Sequence, residues 1–272
     1  MEKYIDRITH ASTPTVLREF SADVLDLTIT SPPYDQLRAY DTAPEWDFEG
    51  TAVELYRITK PGGIVVWVVG DSTVDGSETG SSFRQALFFK EVGFRLHDTM
   101  IYAKTNPTPL NHNRYEQSFE YMFVFSKGKP ATFTPIRVPV EKVRAVQHDL
   151  HHQRNHRAGK YNLRGNSTRG GKETKLKGNI WHYTVGKWLS TKDQEAFEHP
   201  AVFPEALVAD HVLSWSRPGD LILDPFVGSG TTCKVAFLLD RHFIGFDISE
   251  RYVQVACQRL EHARLEKCQI GT

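Results

Sequence analysis

The sequence predicts an α/β fold with a doubly wound, mostly parallel sheet that is interrupted by one basic insertion. Strand-like and helix-like stretches alternate through residues 1–129 and again through residues 199–272. Several strand-like stretches are continuous apolar runs, which is typical of strands covered by helices on both faces. In residues 130–198 the hydrophobic periodicity is lost. We therefore predict one domain in two halves, separated by an insertion.

Composition limits the class of protein. A length of 272 residues suits one large domain with an insertion, and an apolar fraction of 40% supports a packed core. The sequence has no apolar run long enough to span a bilayer, and the N-terminal MEKYIDRITH lacks the pattern of a signal peptide, so we expect a cytoplasmic protein with no membrane partner. The three cysteines are too few for a disulfide framework or a structural zinc site, and no metal is expected.

Local patterns predict the elements of the first half. DVLDLTI and IVVWVV are predicted strands, and the helix FEGTAVELYRITKPGG between them is predicted to stop at Pro61 and the glycine pair. SSFRQALFFKEVG is a predicted helix with Ser81 or Ser82 as its N-cap and Gly93 at its end. RLHDTMIYAK and SFEYMFVFS follow as two further strands.

The second half shows the same alternation. FPEALVADHVLSWS, GTTCKVAFLLDR and SERYVQVACQRLEHARLEK are predicted helices, and LILD and HFIGFD are predicted strands between them.

LILDPFVGSGTT, residues 221–232, joins a strand to a helix through a glycine turn. Such a turn lets a ligand approach the backbone, and the helix offers unpaired N–H groups. Asp247 ends the next strand, seventeen residues after Gly230, where an acid binds ribose in nucleotide-binding βαβ units. The turn has neither the third glycine of a pyrophosphate site nor a phosphate-binding lysine, which favours an adenosine ligand such as S-adenosylmethionine. A plain strand-to-helix turn is the alternative.

TSPPY, residues 30–34, follows the strand DVLDLTI directly. Its prolines remove two backbone donors and prevent both a continuing strand and an immediate helix. The exocyclic amine of a nucleobase is a poor nucleophile because its lone pair is delocalised into the ring, and acceptors placed against its N–H bonds favour a reactive nitrogen. Ser31 Oγ and the Pro32 carbonyl are such acceptors, and Tyr34 can stack on an extruded base. The alternative is a loop that only ends the strand.

Basic residues are concentrated in residues 104–187. This segment has sixteen lysines and arginines against five acids, an excess of eleven positive charges in a chain of zero formal net charge. Such a region is typical of a protein that binds a polyanion, and a solvated linker is the alternative. Trp181 and Trp188 either stack on bases or anchor a small core, and the anchor is favoured. A solvated loop is favoured over a metal site for four histidines: His148, His151, His152 and His156.

Two features next to the strand ends have open interpretations. Asp71 follows IVVWVVG and is expected either to line the pocket or to cap the following loop. Residues 35–47 form either a flap over an extruded base or an ordinary connection.

Together these motifs resemble the amino-directed DNA methyltransferases, which methylate cytosine N4 or adenine N6, in the permuted order called the β class. TSPPY resembles the catalytic tetrapeptide of that family and DPFVGSGTT its cofactor motif, with the basic region between them. RITKPGGIVVWVVGD and HPAVFPEALVADHVLSWSRPGD resemble two further segments, so the resemblance covers most of the chain outside 130–198. It implies a Rossmann-like methyltransferase fold with a seven-stranded sheet, in which SFEYMFVFS is one arm of a terminal antiparallel hairpin.

The resemblance also implies site residues and partners. The catalytic group would be Ser31, Pro32, Pro33 and Tyr34. S-adenosyl-L-methionine would be held by the glycine turn, the ribose acid and looser matches in the preceding motif: Asp224, Pro225, Phe226, Gly228, Gly230, Thr231, Asp247, His199 and Phe203. Double-stranded DNA would be the substrate, with 130–198 as the target-recognition insertion. Relatives often form dimers, and a restriction endonuclease acting on the same site is a further expected partner.

Ser31 bears on the target base. In this family serine at that position is typical of N4-cytosine enzymes and aspartate of most N6-adenine enzymes, so the resemblance favours cytosine N4 over adenine N6. The expected context is restriction-modification or protection of phage or host DNA. Two other classes are weighed as alternatives. RNA and protein-glutamine methyltransferases usually have the cofactor motif first and asparagine in place of Ser31, and a non-catalytic DNA-binding protein would not need an intact cofactor motif.

Overall fold

The computed structural model describes residues 1–33, 46–107, 114–140 and 173–270. The chain divides into two compact units: Met1–Thr134 with Gly178–Thr272, and Pro135–Lys177. In chain order the strands are β1 (Arg7–His10), β2 (Leu25–Thr30), β3 (Thr59–Val69), β4 (Thr73–Val74), β5 (Ser77–Glu78), β6 (Arg95–Lys104), β7 (Phe119–Ser126), β8 (Arg137–Pro139), β9 (Thr174–Leu176), β10 (Ile180–Tyr183), β11 (Leu221–Asp224) and β12 (His242–Asp247).

One mixed sheet forms the centre of the first unit. Its described strands lie in the order β1-β12-β11-β2-β3-β7-β6-β10, and each neighbouring pair is parallel except the two pairs that β7 makes. The ribbon of β4 and β5 is separate, and β8 pairs with β9 in the second unit. The prediction of an α/β fold with a mostly parallel sheet is confirmed.

The strand count differs from the seven that the resemblance implied, because the sheet has eight strands in the described chain. The hairpin of β6 and β7 is therefore not terminal: β10 lies beyond it, with Ile180 opposite Ile101 and Tyr183 opposite Lys104. Neither β10 nor β1 was predicted. Both are four residues long, and β10 lies within the polar sequence around the basic region, where alternation is too short to indicate a strand.

Trp181 on β10 has the anchoring role that was favoured. Its side chain is buried, its Nε1 donates to the Gly178 carbonyl at 2.8 Å, and its ring lies 4.8 Å from that of His211. Trp188, in contrast, is 44% exposed, and its ring contacts Phe197 edge-on at 5.3 Å. The segment that carries Trp181 thus forms a strand although hydrophobic periodicity is lost in residues 130–198.

The helices are α1 (Thr13–Leu17), α2 (Phe48–Ile58), α3 (Ser81–Val92), α4 (Glu205–Trp215), α5 (Thr231–Leu238) and α6 (Glu250–Ile270), with short 3-10 turns at Glu2–Tyr4 and Glu195–Glu198. The predicted end of α2 at Pro61 was wrong, because Thr59 already pairs with Leu25 and begins β3. The N-cap of α3 is Gly80 rather than a serine. In the described chain no helix is long and apolar enough to cross a membrane.

Helices on both faces bury the central strands. Every residue from Gly63 to Val69 in β3 is buried, as the run IVVWVV predicted. Trp67 is fully buried, and its ring lies 5.0 Å from that of Phe89, which stacks on Phe125 at 4.5 Å. The indole N–H of Trp67 donates to Gln85 Oε1 at 2.8 Å, so this large side chain is buried without an unsatisfied donor.

The strand order places a crevice between β2 and β11. The strand that follows β2 lies on one side of this pair, and the strand that follows β11 lies on the other. In open parallel sheets ligands bind at such a switch point, outside the carboxyl ends of the strands. TSPPY leaves β2 and the glycine turn leaves β11 at this point, so the fold brings the two motifs to the same edge.

Candidate active site

A cavity of about 1670 Å³ opens at the carboxyl edge of the sheet. Residues from both predicted motifs and from the segment before α4 line it: Ser31, Pro33, Asp224, Phe226, Gly228, Thr231, Asp247, His199 and Phe203. Pro32, Pro225 and Gly230 are buried and do not line the cavity. Tyr34 and most of the proposed flap at 35–47 lie outside the described residues. Two segments nearly two hundred positions apart therefore share one site.

A hydrogen bond joins the two motifs directly. Thr30 Oγ1 donates to Asp224 Oδ1 at 2.7 Å, and both residues are buried at the ends of adjacent strands. Phe226 N donates to the same oxygen at 3.1 Å, so Asp224 also shapes the start of the glycine turn. Because Thr30 immediately precedes Ser31, this bond fixes the TSPPY motif relative to the glycine turn.

The glycine turn needs glycine at two positions. Gly228 has φ +49°, and a Cβ there would lie 2.9 Å from His199 Nε2. Gly230 has φ +86°, and its Cβ would lie 2.7 Å from the Cβ of Ala256. Left-handed backbone disfavours any other residue, and both approaches are closer than carbon atoms tolerate. The turn is thus closely packed against His199 and Ala256, and Gly228 also lines the cavity.

His199 is held against the turn. Its Nδ1 accepts a hydrogen bond from Ala201 N at 3.1 Å, and its ring lies edge-on to Tyr252, 4.4 Å between centroids. The sequence match for His199 was loose, but the structure brings it into contact range of Gly228. Tyr252 also lines the cavity, and sequence reasoning missed it because it lies within the regular pattern of α6.

Asp247 lines the cavity at the end of β12. Gly228 N donates to its Oδ2 at 2.8 Å, and Ser249 N donates to its Oδ1 at 2.9 Å. Burial raises the pKa of its carboxyl, and these backbone donors oppose that rise. An ionised carboxylate has about four acceptor positions, so two amides leave acceptor capacity for a ligand.

Burial raises the pKa of the Asp224 carboxyl to about 6, although hydrogen bonds from Thr30, Phe226 and Thr232 act to lower it. A carboxyl whose pKa is raised by folding binds more protons in the folded than in the unfolded chain between about pH 4 and pH 6. In this range its contribution to the free energy of unfolding falls as the pH rises. Asp224 is therefore held at a cost to stability near neutral pH, as ligand-binding groups often are.

We expect Asp224→Asn to remove this pH dependence. Between pH 4 and pH 7 the free energy of unfolding of the native protein should fall by roughly 2 kcal/mol relative to the variant, which is most of the free energy that corresponds to the pKa shift. Urea unfolding at a series of pH values measures the difference. Asp71→Asn is a control for which the pH dependence should have the opposite sign. Folding lowers the pKa of Asp71, so its contribution to the free energy of unfolding rises with pH. Parallel pH curves for the native protein and Asp224→Asn would contradict the expectation.

Asp71 lies in the cavity lining, as one of the two alternatives proposed, and it binds the start of α3 rather than only the loop that follows it. It lines the cavity, and it also accepts hydrogen bonds at the start of α3, from Ser82 N at 3.0 Å and Ser81 Oγ at 3.1 Å. Burial acts to raise the pKa of its carboxyl, but the hydrogen bonds from Ser82, Ser81 and Thr79 outweigh burial and lower it. The serines predicted to cap α3 are therefore donors to Asp71 instead.

Trp46 is an aromatic residue of the cavity lining that sequence reasoning did not identify. It lines the cavity, and its ring contacts Phe226 edge-on at 5.1 Å and lies 6.2 Å from that of Trp67. The signal available in the sequence was a tryptophan within the segment interpreted as a flap. Among the described residues no cluster of potential metal ligands occurs, and the four histidines at 148–156 lie outside them.

A glycine turn and two strand-end carboxylates at the switch point of a doubly wound sheet define a nucleoside-binding protein of the α/β methyltransferase type. The sequence of residues 25–258 matches the DNA methylase family, which comprises the N6/N4 amino-methyltransferases. The chain belongs to this family. It is thus a DNA methyltransferase, and its cofactor is S-adenosylmethionine. The predicted family and cofactor are confirmed.

Similar proteins agree with this assignment. The chain is 51% identical over 253 residues to the orphan methyltransferase M.BamHII of Bacillus amyloliquefaciens, covering 89% of this chain and 92% of that protein. Two solved structures share the fold. PvuII DNA methyltransferase, described as cytosine-N4-specific, has a TM-score of 0.67 and 20% identity and covers 93% of this chain and 85% of its own. The M1.HpyAVI–SAM complex has a TM-score of 0.59 and 23% identity, and the match covers 93% of this chain and 99% of that one.

The comparisons leave the target base open, because proteins described as cytosine-N4-specific and as adenine methyltransferases both occur among the matches. The residues of this chain fit the cofactor: the turn at Gly228 excludes a side chain, and the Asp247 carboxylate faces the same cavity.

Proposed function

We propose that this chain transfers the methyl group of S-adenosylmethionine to the exocyclic N4 amine of cytosine in double-stranded DNA, as a β-class enzyme with its catalytic motif first. The observation that supports this most strongly is the shared cavity, in which Ser31 and Pro33 face Asp224, Gly228 and Asp247. An amine held by the first motif then lies beside a ligand held by the second.

Ser31 and Pro32 activate the amine in this proposal. Bound S-adenosylmethionine supplies a methyl group on a positively charged sulfur. Ser31 Oγ, which lines the cavity, accepts a hydrogen bond from one N–H group of the target amine, and the carbonyl of the buried Pro32 is proposed to accept from the other once the base is bound, which frees the nitrogen lone pair for in-line attack. The nitrogen becomes positively charged as it gains the methyl group, and preorganised acceptors stabilise this charge. As the N–CH3 bond forms, the S–CH3 bond would break and leave neutral S-adenosylhomocysteine, and the nitrogen would then lose one proton to water and become a neutral amine.

The second motif holds the cofactor in the same proposal. Asp224, Phe226 and the glycine turn bind its methionine part, and the remaining acceptor positions of Asp247 bind the ribose hydroxyls. Phe226 and Trp46 supply apolar surface on the wall between the two motifs. His199 and Phe203, from the segment that precedes α4, also line the cavity.

The amine of a paired cytosine is not accessible inside the duplex, so the reaction requires an extruded base. Tyr34 is proposed to stack on this base. Residues 130–198 are proposed to contact the DNA, with lysines and arginines on phosphates and polar side chains on base edges. The second compact unit, Pro135–Lys177, lies within this range. A homodimer, a partner restriction endonuclease, and a role in restriction-modification or DNA protection stay predictions.

The identity of the methylated nucleoside tests the target base. DNA from a methylation-deficient bacterial host that expresses the chain is digested to nucleosides and analysed by mass spectrometry. We expect N4-methylcytosine, because serine occupies position 31. Host DNA from cells that express Ser31→Ala gives the background. N6-methyladenine alone would refute the cytosine assignment and support adenine N6, the second candidate, whose amine needs the same acceptors.

A further inference from the structure

Four charged side chains, two of them buried and two partly exposed, form a cluster against the glycine turn. We call it the turn clamp and define it as Arg259 of α6, Lys234 of α5, Glu205 of α4 and Asp193 from the segment before α4. The side chain of Arg259 is fully buried, and that of Lys234 is 8% exposed. Their formal charges cancel. Glu205 lies in the segment HPAVFPEALVADHVLSWSRPGD, and the other three residues lie outside the motifs discussed above.

Arg259 contacts the cofactor turn through one nitrogen. Its Nη1 donates to the Ser229 carbonyl at 2.6 Å, to Thr231 Oγ1 at 3.1 Å and to Ser229 Oγ at 3.2 Å. Ser229 lies between the two glycines that have positive φ, and Thr231 begins α5. The guanidinium group thus binds the turn from behind, while the opposite side of the turn faces the cavity.

The other nitrogens of Arg259 fix the orientation of its guanidinium plane. Nε donates to Asp193 Oδ2 at 2.8 Å, and Nη2 donates to Glu205 Oε1 at 2.8 Å. Lys234 Nζ binds the same two carboxylates, at 2.8 Å and 3.0 Å. Thr191 Oγ1 donates to Glu205 Oε1 at 2.6 Å. The arginine is therefore held in a single geometry by groups from three other elements.

The energetics of buried charge point to a geometric role for this cluster. Removing charged groups from water costs several kcal/mol per ion, so a buried ion-pair cluster adds little net stability compared with apolar packing. Such a cluster instead fixes the orientation of the groups it binds, because a guanidinium is planar and donates its five N–H groups in that plane. Here the direction that is fixed is that of a backbone carbonyl in the cofactor turn.

We propose that Arg259 is a positioning residue for the cofactor: through Ser229 and Thr231 it holds the glycine turn in the shape that binds S-adenosylmethionine. The inference concerns cofactor binding alone. It goes beyond the proposed function and does not depend on which base is methylated, so a wrong target base would leave it untouched.

Arg259→Lys is the main test, because it keeps the positive charge and removes the planar set of donors. Calorimetry on the full-length protein without DNA measures the Kd for S-adenosylmethionine. We expect a rise of about tenfold or more, the consequence of losing one or two charge-assisted hydrogen bonds to the turn. Hydrogen exchange of the Ser229 and Gly230 amides should accelerate in the same variant. The Kd for DNA should stay within about twofold of the native value when the native protein and the variant are both measured without S-adenosylmethionine or its demethylated product.

Arg241→Lys is the matched control. Arg241 is 9% exposed, and it donates to Ser216 Oγ at 3.0 Å and to the Ser216 carbonyl at 2.8 Å, at the C-terminal end of α4. It is thus a second largely buried arginine that binds a hydroxyl and a backbone carbonyl, and the groups it binds do not belong to the cofactor turn. We expect its substitution to lower the melting temperature and to leave the Kd for S-adenosylmethionine within about twofold.

Two results would overturn the proposal. One is a Kd in Arg259→Lys within about twofold of the native value, and the other is an equal rise in Arg241→Lys, which would indicate general loosening. If Arg259→Lys does not fold, Asp193→Asn decides. Asp193 contacts Arg259 and Lys234 but does not line the cavity, so a rise of about threefold in the Kd would support the proposal and an unchanged Kd would overturn it.

Discussion

Gly230→Ala is expected to lower the free energy of unfolding by about 2 to 5 kcal/mol and to weaken binding of S-adenosylmethionine about a hundredfold. Left-handed backbone at a residue with Cβ costs about 1–2 kcal/mol, and forcing an extra carbon into a packed interface costs about 1–3 kcal/mol. The new Cβ would lie 2.7 Å from the Cβ and 2.9 Å from the Cα of Ala256, so α6 or the turn must move. Movement of the turn removes hydrogen bonds to the cofactor, which accounts for the loss of affinity.

Gly219→Ala separates backbone strain from the clash. Gly219 has φ +85°, almost that of Gly230, and no atom lies within 4 Å of the position its Cβ would take. We expect this control to cost only the strain, about 1–2 kcal/mol, with cofactor affinity unchanged. Urea unfolding and calorimetry on both variants measure the two effects. Equal destabilisation by the two substitutions would show that the contact with Ala256 relaxes freely.

Ser31→Ala is expected to slow methyl transfer by about 10²- to 10³-fold, the range found when one preorganised hydrogen-bonding group of a transition state is removed. Ser31 lines the cavity but is not part of the glycine turn, so the Kd for S-adenosylmethionine should stay within about twofold. Single-turnover measurement with saturating DNA isolates the chemical step from product release.

Ser31→Thr is the acceptor-retaining control. It keeps a hydroxyl oxygen at the same position and should recover most of the rate that alanine loses. Thermal unfolding of both variants checks that Thr30 and Asp224, which join the two strands beside Ser31, are undisturbed. A rate for Ser31→Ala within about threefold of the native rate would argue against the acceptor role.

The parts of the fold that sequence could predict are those with a local signal. The continuous apolar run of β3 and the strand–turn–helix sequence around Gly228 each require particular residue types within a few positions, and both have the predicted structure. Parallel strands share the edge at which they end, so placing Ser31 near Asp224 followed from two local predictions and one topological rule.

The parts that could not be predicted depend on contacts between distant positions. β1 is a four-residue strand stabilised by pairing with β12, more than 230 residues away. Arg259 lies in an amphipathic helix, where an arginine is ordinarily solvated, and nothing in its neighbourhood indicates that Asp193 and Ser229 surround it. Asp71 replaces a serine cap only because β3 ends beside the start of α3.

The pairing of β2 with β11 has a consequence for synthesis of the protein. Thr30 and its partner Asp224 are 194 positions apart, so the ribosome must translate most of the remaining chain before the catalytic strand has this neighbour. At 5–20 residues per second this takes about 10–40 s. Until then a nascent polypeptide carries an incomplete sheet with an open edge at β2. During this time the unpaired edge of β2 can pair with another chain, so the nascent protein is exposed to aggregation.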